Sequence, residues 1–202
     1  MTTTTLHLIR HGDTEASGDG IFCGDLDLPL APNGVAQAEK LVGLLTRTKI
    51  DAVYASPKLR VRMTAAPTCR ALGISPVYEE GLREIAYGSW EGKHEKDVRA
   101  EQPDAYTRWT DDPGVQSPPG GESGLAIAAR AMPVIARIAS AHAGEEVLVF
   151  SHKATIRILC CALLGLPISR FRDRIGCATA SRTTFEFGTH GPLLVRLGET
   201  AP

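Results

Sequence analysis

The chain has 202 residues, 43% hydrophobic and 22% charged, with a formal net charge of -1. This is the make-up of a soluble globular domain with a sizeable core, and it provides no global field for nucleic acid or a membrane surface. The five cysteines (Cys23, Cys69, Cys160, Cys161 and Cys177) are odd in number, irregularly spaced and lack a Cys-x-x-Cys pair; this argues for reduced thiols in the cytoplasm rather than a disulfide frame or zinc site.

Met1 to Thr5 lacks a basic region followed by a long apolar run, so no signal peptide is expected. No apolar stretch is expected to reach membrane-spanning length. Leu6, Leu8 and Ile9 make a buried strand that runs out into Arg10-His11-Gly12-Asp13-Thr14. Glycine in such a turn lets backbone approach closely, and His11 is the centre of a candidate anion site. Ala16 to Asp27 is a Gly- and Asp-rich loop. Pro32-Asn33-Gly34 opens an amphipathic helix through Val35, Ala38, Leu41, Val42 and Leu45. Asp51 to Ser56 is a second strand, Pro57 to Leu72 a second helix ended by Gly73, and Ser75 to Tyr78 a third short strand. This β-α-β-α-β order predicts a parallel sheet with covering helices.

Gly81 to Gly92 reads as a loop, followed by short helices near Lys93 to Glu101 and Pro103 to Trp109. The Pro- and Gly-rich stretch from Asp111 to Glu122 is a surface loop rather than a linker, because each flanking half lacks a complete sheet. One domain over residues 1–202 follows. Ser123 caps a helix over Gly124 to Ala141, which Pro133 should kink or divide. Glu145 to Ser151 is the strongest central strand. It leads through His152 into a helix from about Ala154 to Leu164. Thr183 to Phe187 and Leu193 to Leu197 form a hairpin at the sheet edge, and that exposed edge would allow a homodimer.

Three strand ends carry the chemistry: Arg10-His11, Ser56-Pro57 with Arg60 one helical turn on, and Ser151-His152. In a parallel sheet these ends share one edge. Two histidines and two arginines gathered there repel one another unless an anion neutralises them. Phosphate suits the planar, bidentate donors of arginine, and a neutral imidazole can attack phosphorus.

Arg10-His11-Gly12-Asp13-Thr14, Ser56 to Ala65, Leu82 to Gly92, Pro119-Gly120-Gly121-Glu122-Ser123 and Ser151-His152 together resemble, in order, the motifs of the histidine phosphatase superfamily, with closer likeness to its phosphoglycerate mutase-like branch. The resemblance spans about Leu6 to Leu164. It implies a three-layer α/β/α sandwich with a mostly parallel central sheet and an antiparallel edge strand, and a metal-independent enzyme with no cofactor. His11 would be the nucleophile. Arg10, Arg60 and His152 would bind the phosphoryl oxygens, and Glu84 would be the general acid. Gly12 would let the turn approach His11 and fix its tautomer through the backbone carbonyl. Arg62, two residues from Arg60, should point elsewhere, and His7 on the strand is structural. His94, His142 and His190 match no motif and are expected at the surface.

Departures from the family pattern bear on substrate. Ser17 stands where Asn is common, and Cys23 where Thr, Ser or Gln is common. Ser17 and the backbone at Cys23-Gly24 can still donate to phosphate. Lys153-Ala154 replaces the usual Gly-Gly or Gly-Asn, so Lys153 either adds charge to the pocket or points to solvent. Ile85 follows the acid where cofactor-dependent mutases have Arg, and the loop from Asp111 to Ser123 holds no Lys or Arg. Net hydrolysis of a small phosphorylated metabolite is therefore expected over a phosphoglycerate mutase or a non-catalytic phospho-ligand binder. Residues 93–122 should roof the pocket as a cap, with Trp90, Tyr106, Arg108 and Trp109 as candidate lining.

Overall fold

In a computed structural model of the protein, residues 2–18 and 20–202 are described. Met1, in the stretch read for a leader, and Asp19, in the expected 16–27 loop, lie outside the described residues.

Strand β1 (Thr4–Arg10) sits inside a six-stranded sheet. Its neighbours are β2 (Ala52–Ala55), β3 (Val77–Tyr78), β4 (Glu146–Ser151), β5 (Ser181–Gly188) and β6 (Gly191–Thr200), in the order β3-β2-β4-β1-β5-β6. β1, β2, β3 and β4 run parallel, and the β5–β6 hairpin adds to β1 antiparallel. The helices are α1 (Pro32–Leu45), α2 (Leu59–Leu72), α3 (Glu95–Glu101), α4 (Pro103–Asp111), α5 (Gly124–Ala141), α6 (Lys153–Leu163) and α7 (Phe171–Arg174).

Strand alternation builds two cores, one on each face of the sheet. Leu6, Leu8, Val147, Val149 and Phe185 pack with Ile127, Ala131, Ile135 and Ile138 of α5 and Ile156 and Leu159 of α6. Ile9, Val53, Ala55, Leu148 and Phe150 pack with Leu41, Leu44 and Leu45 of α1 and Val61 and Ala65 of α2. The result is the three-layer α/β/α sandwich. Each fully buried aliphatic side chain is worth about 1.5–3 kcal/mol before entropy, so the two-faced sheet is the main source of stability.

Several expectations shift. α2 starts at Leu59 because Lys58 is still extended, at φ -62° and ψ 139°. The expected third strand shrinks to Val77–Tyr78. Pro133 does not divide α5, which runs unbroken for 18 residues. Its cost is offset by the buried Ile127, Ala131, Ile135 and Ile138 stripe. Contrary to expectation, α5 is long and apolar enough by composition to cross a membrane; in this fold its apolar stripe covers the sheet. The 3-10 turns Glu80–Leu82, Gly88–Trp90 and Ile168–Arg170, together with α7, are too short to leave a periodic signal. His142 is half-buried rather than a surface residue: its Nε2 lies 3.0 Å from the Tyr54 hydroxyl and its Nδ1 2.6 Å from Glu145.

Candidate active site

The parallel register aligns Arg10 with Ser151 and Ala55 with Phe150, so three strands end together. The His11 N–H donates to the Ser151 carbonyl at 3.1 Å, and the Ser56 N–H to that of Phe150 at 2.9 Å. This extends the ladder one residue into the site and fixes where the side chains emerge. The His11 and His152 rings meet edge-on, with centroids 5.2 Å apart and planes at 62°. Beside them is a cavity of about 280 Å³ lined by Arg10, His11, Thr14, Ser17, Arg60 and Glu84, among others.

His11 Nδ1 lies 2.7 Å from the Gly12 carbonyl. A carbonyl can only accept, so Nδ1 carries the proton and Nε2 the lone pair. Burial, then Arg10 and Arg60, lower the His11 pKa to about 3, and the ring is neutral at pH 7. His152 is also pushed well below its usual range, by burial first and Arg60 next. Its Nε2 is 2.8 Å from the Ser56 hydroxyl. Its buried Nδ1 has no hydrogen-bond partner among the described residues, and neither has Arg10 Nε. Buried polar atoms ordinarily have partners; two orphans in one cationic pocket fit an anion's oxygens.

Arg60 is 1% exposed and donates to the carbonyls of Leu26 (2.7 Å) and Gly24 (2.9 Å). Arg10 donates to the Cys177 carbonyl at 2.8 Å. Both guanidinium groups are thus held by neutral carbonyls, which orient them without cancelling their charge. Glu84 is the acid that reaches this cavity. Its Oε1 accepts from the N–H groups of Ile85 (3.0 Å) and Thr155 (3.2 Å), and its Oε2 from Ala154 (3.2 Å). The carboxylate therefore sits on the N-terminus of α6, where backbone donors favour an anion. The acids nearby in sequence do other work. Glu79 pairs with Arg137 and Glu80 with Arg83. Glu91 accepts from the N–H groups of Gly24, Asp25 and Tyr87.

Ser17 lines the cavity, and its Oγ is engaged by the Thr14 N–H at 3.0 Å. Cys23 lines it as well. Gly24 does not: its N–H is taken by Glu91 at 3.0 Å, so it is not the phosphate donor expected from the sequence. Lys153 is exposed to solvent and at the same time lines both this cavity and a larger one, so it stands at the mouth where the two meet. That neighbour, of about 500 Å³, shares Gly20, Ile21, Glu84, Tyr87 and Lys153 with the first and adds Phe22, Glu95, Trp109, Arg157 and Arg172. Two of the expected lining residues are used elsewhere. Trp90 is fully buried, with its indole N–H on Gln102 Oε1 at 2.9 Å, and the Tyr106 hydroxyl bonds Glu95. Arg108 is exposed and lines neither cavity.

Three features escaped the sequence. A Cβ on Gly12 would lie 2.6 Å from the Gly34 carbonyl, so the glycine is required by the approach of α1, not by a ligand. Arg130 of α5 donates to the carbonyls of Gly81, Arg83 and Glu84 and to both oxygens of Glu122, clamping the segment that carries Glu84. Arg157 and Arg172 line the larger cavity. Carbonyl partners 46 to 49 residues from Arg130, and a cavity wall shared by distant segments, leave no local signature, so only the fold reveals these roles. Among the described residues no cluster of three or more His, Cys, Asp or Glu side chains is arranged to share a metal ion.

The chain matches the family model of the histidine phosphatase superfamily (branch 1) over residues 6–200. It is 30% identical over 195 residues to a phosphoserine phosphatase of Hydrogenobacter thermophilus, covering 96% of this chain and 92% of that protein. It is 33% identical over 189 residues to an adenosylcobalamin/alpha-ribazole phosphatase of Escherichia coli, covering 91% and 92%. Among solved structures, a mycobacterial glucosyl-3-phosphoglycerate phosphatase superposes with a TM-score of 0.90 at 25% identity, covering 98% of this chain and 100% of that one.

Proposed function

The chain belongs to the histidine phosphatase superfamily and is a phosphoric monoester hydrolase, and from that premise we propose that it hydrolyses a small phosphomonoester in two steps through a phosphohistidine at His11. The observation that carries this reading is the neutral His11 ring, its Nδ1–H tied to Gly12 and its Nε2 free beside two uncancelled guanidinium groups.

The phosphoryl group occupies the smaller cavity, where Arg10, Arg60 and His152 Nδ1 bind its oxygens. The ester binds as its monoanion and passes its proton to the Glu84 carboxylate; His11 Nε2 then attacks phosphorus while the bond to the leaving oxygen breaks, and Glu84 gives that oxygen the proton. A water then attacks the phosphohistidine, gives its proton to Glu84 and restores the free imidazole, releasing inorganic phosphate. The positive charge that must follow the shifting negative charge comes from fixed arginines, which need no reorganisation during the reaction. Ser17, Cys23 and Lys153 complete the wall, and the leaving group extends past Glu84 into the larger cavity, where Glu95, Trp109 and Thr110 come from the 93–122 cap segment.

The test is phosphate release from p-nitrophenyl phosphate with chelator present, together with peptide mapping of an acid-labile phosphoryl label after rapid quench. The label should map to His11, and His11→Ala should lose both the label and at least about a thousandfold in kcat/KM. Full turnover by His11→Ala would refute the proposal.

A further inference from the structure

The larger cavity holds three cations to which the two-step reaction assigns no bond or proton: Arg157 and Arg172, which line it alone, and Lys153, which also reaches the smaller cavity. Lys153 and Arg172 have no salt bridge or hydrogen bond among the described residues. Arg157 spends only its Nε, on the Ile175 carbonyl at 2.6 Å. The acids in the same wall keep their charge but pair with none of these three cations: Glu95 accepts from the Tyr106 hydroxyl, Asp173 pairs with Arg170 at 3.2 Å, and Glu84 accepts from the backbone donors of α6.

The aromatic residues of this wall are mostly hidden. Trp109 is 2% exposed, Phe171 3% and Phe22 7%, so they offer edges rather than a face on which a planar leaving group could stack. Arg172 lies over the Trp109 ring, 4.1 Å from its centroid. That cation–π contact holds the guanidinium against the ring, and no hydrogen bond among the described residues takes its N–H groups, which leaves them for an acceptor. Lys153, at the junction of the two cavities, has its ammonium pKa lowered by partial burial and by repulsion from Arg10 and Arg157, as expected for a cation crowded by others.

We propose that Lys153, Arg157 and Arg172 form a second anion subsite, so that the preferred substrate is a phosphomonoester whose leaving group carries a further carboxylate or phosphate. This rests on placing the reacting phosphoryl group in the smaller cavity.

Ethyl, propyl and butyl phosphates, compared with the same esters ending in a carboxylate or a second phosphate, test it and tell the two anions apart. In the best-fitting length, kcat/KM for one of the charged esters should exceed that of the alkyl ester by about tenfold to a hundredfold, the usual worth of hydrogen bonds to a charged group. Arg172→Gln and Lys153→Gln should each shrink that ratio to about threefold or less. If Arg172 serves only to pack on Trp109, stability falls and the ratio stays, which overturns the subsite. A wild-type ratio near one in both charged series also overturns it. Calorimetric affinities of the same esters for His11→Ala read the preference without turnover. If the wild type releases no phosphate even from p-nitrophenyl phosphate, the hydrolytic reading fails, while the affinity ratio still decides the subsite.

Discussion

At the scale of single residues, His11 joins reactivity to stability. Its folded pKa, about 3, lies below the unfolded value of 6.5. The unfolded chain therefore takes up a proton first as pH falls. The stability linked to His11 is whole above about pH 6.5 and is lost progressively as pH drops toward 3, by up to about 1.4 kcal/mol per pH unit. Urea unfolding at stepped pH in phosphate-free buffer should show the wild type losing stability more steeply than His11→Asn by about that slope between about pH 6 and about pH 4; parallel curves would contradict the buried, neutral ring. Arg60 makes the second prediction at this scale. Its guanidinium holds the Gly24 and Leu26 carbonyls while it lines the phosphoryl cavity. Arg60→Ala should lower kcat/KM by about a hundredfold to a thousandfold, and an effect under tenfold in steady-state assays would remove Arg60 from the transition state. Both residues were legible in the sequence because they sit at strand ends or one helical turn beyond. The role of Gly24 was misread because the acceptor of its N–H, Glu91, lies 67 residues away.

At the scale of elements, α5 and α6 place Glu84 from two sides. The first turn of α6 supplies the Ala154 and Thr155 N–H donors, and Arg130 of α5 gathers the carbonyls of Gly81, Arg83 and Glu84. Arg130→Met should cost about 2–4 kcal/mol, because it strands the half-buried Glu122 carboxylate and three carbonyls. The same variant should lower kcat more than it raises KM, since the carboxylate loses its support rather than its contact with substrate. A thermal melt and steady-state kinetics check both; wild-type stability would show the clamp to be idle. Sequence periodicity gave α1, α2, α5 and α6 to within a few residues. It could not find α7, whose four residues are too few for a pattern, and with it went Arg172. Trp90 was misplaced for a related reason: its partner Gln102 sits between two short helices whose packing the sequence does not state.

At the scale of the whole molecule, the sheet order puts β4 at the centre, with β2 on one side and β1 on the other, so the strand that ends in His152 is buried on both faces. Leu148→Ala on β4 should cost about 2–5 kcal/mol, whereas Leu193→Ala on the exposed β6 edge should cost under about 0.5 kcal/mol; denaturant midpoints read both, and equal losses would contradict the layered core. The parallel half of the sheet was legible as alternating strands and helices. The convergence of its ends, and so the histidine pair, followed from topology alone. What topology could not give was the interior of the larger cavity, whose walls come from residues 20–22, 84, 87, 95, 109–110, 153–154, 157 and 171–173. The central claim is that phosphorus changes hands twice, the first time to His11. The stereochemistry at phosphorus tests it most directly, using a phosphomonoester made chiral with oxygen isotopes and an alcohol in place of water as the acceptor of the second step. Two in-line displacements predict net retention of configuration; net inversion would mean that the acceptor attacks the ester directly and would contradict the account.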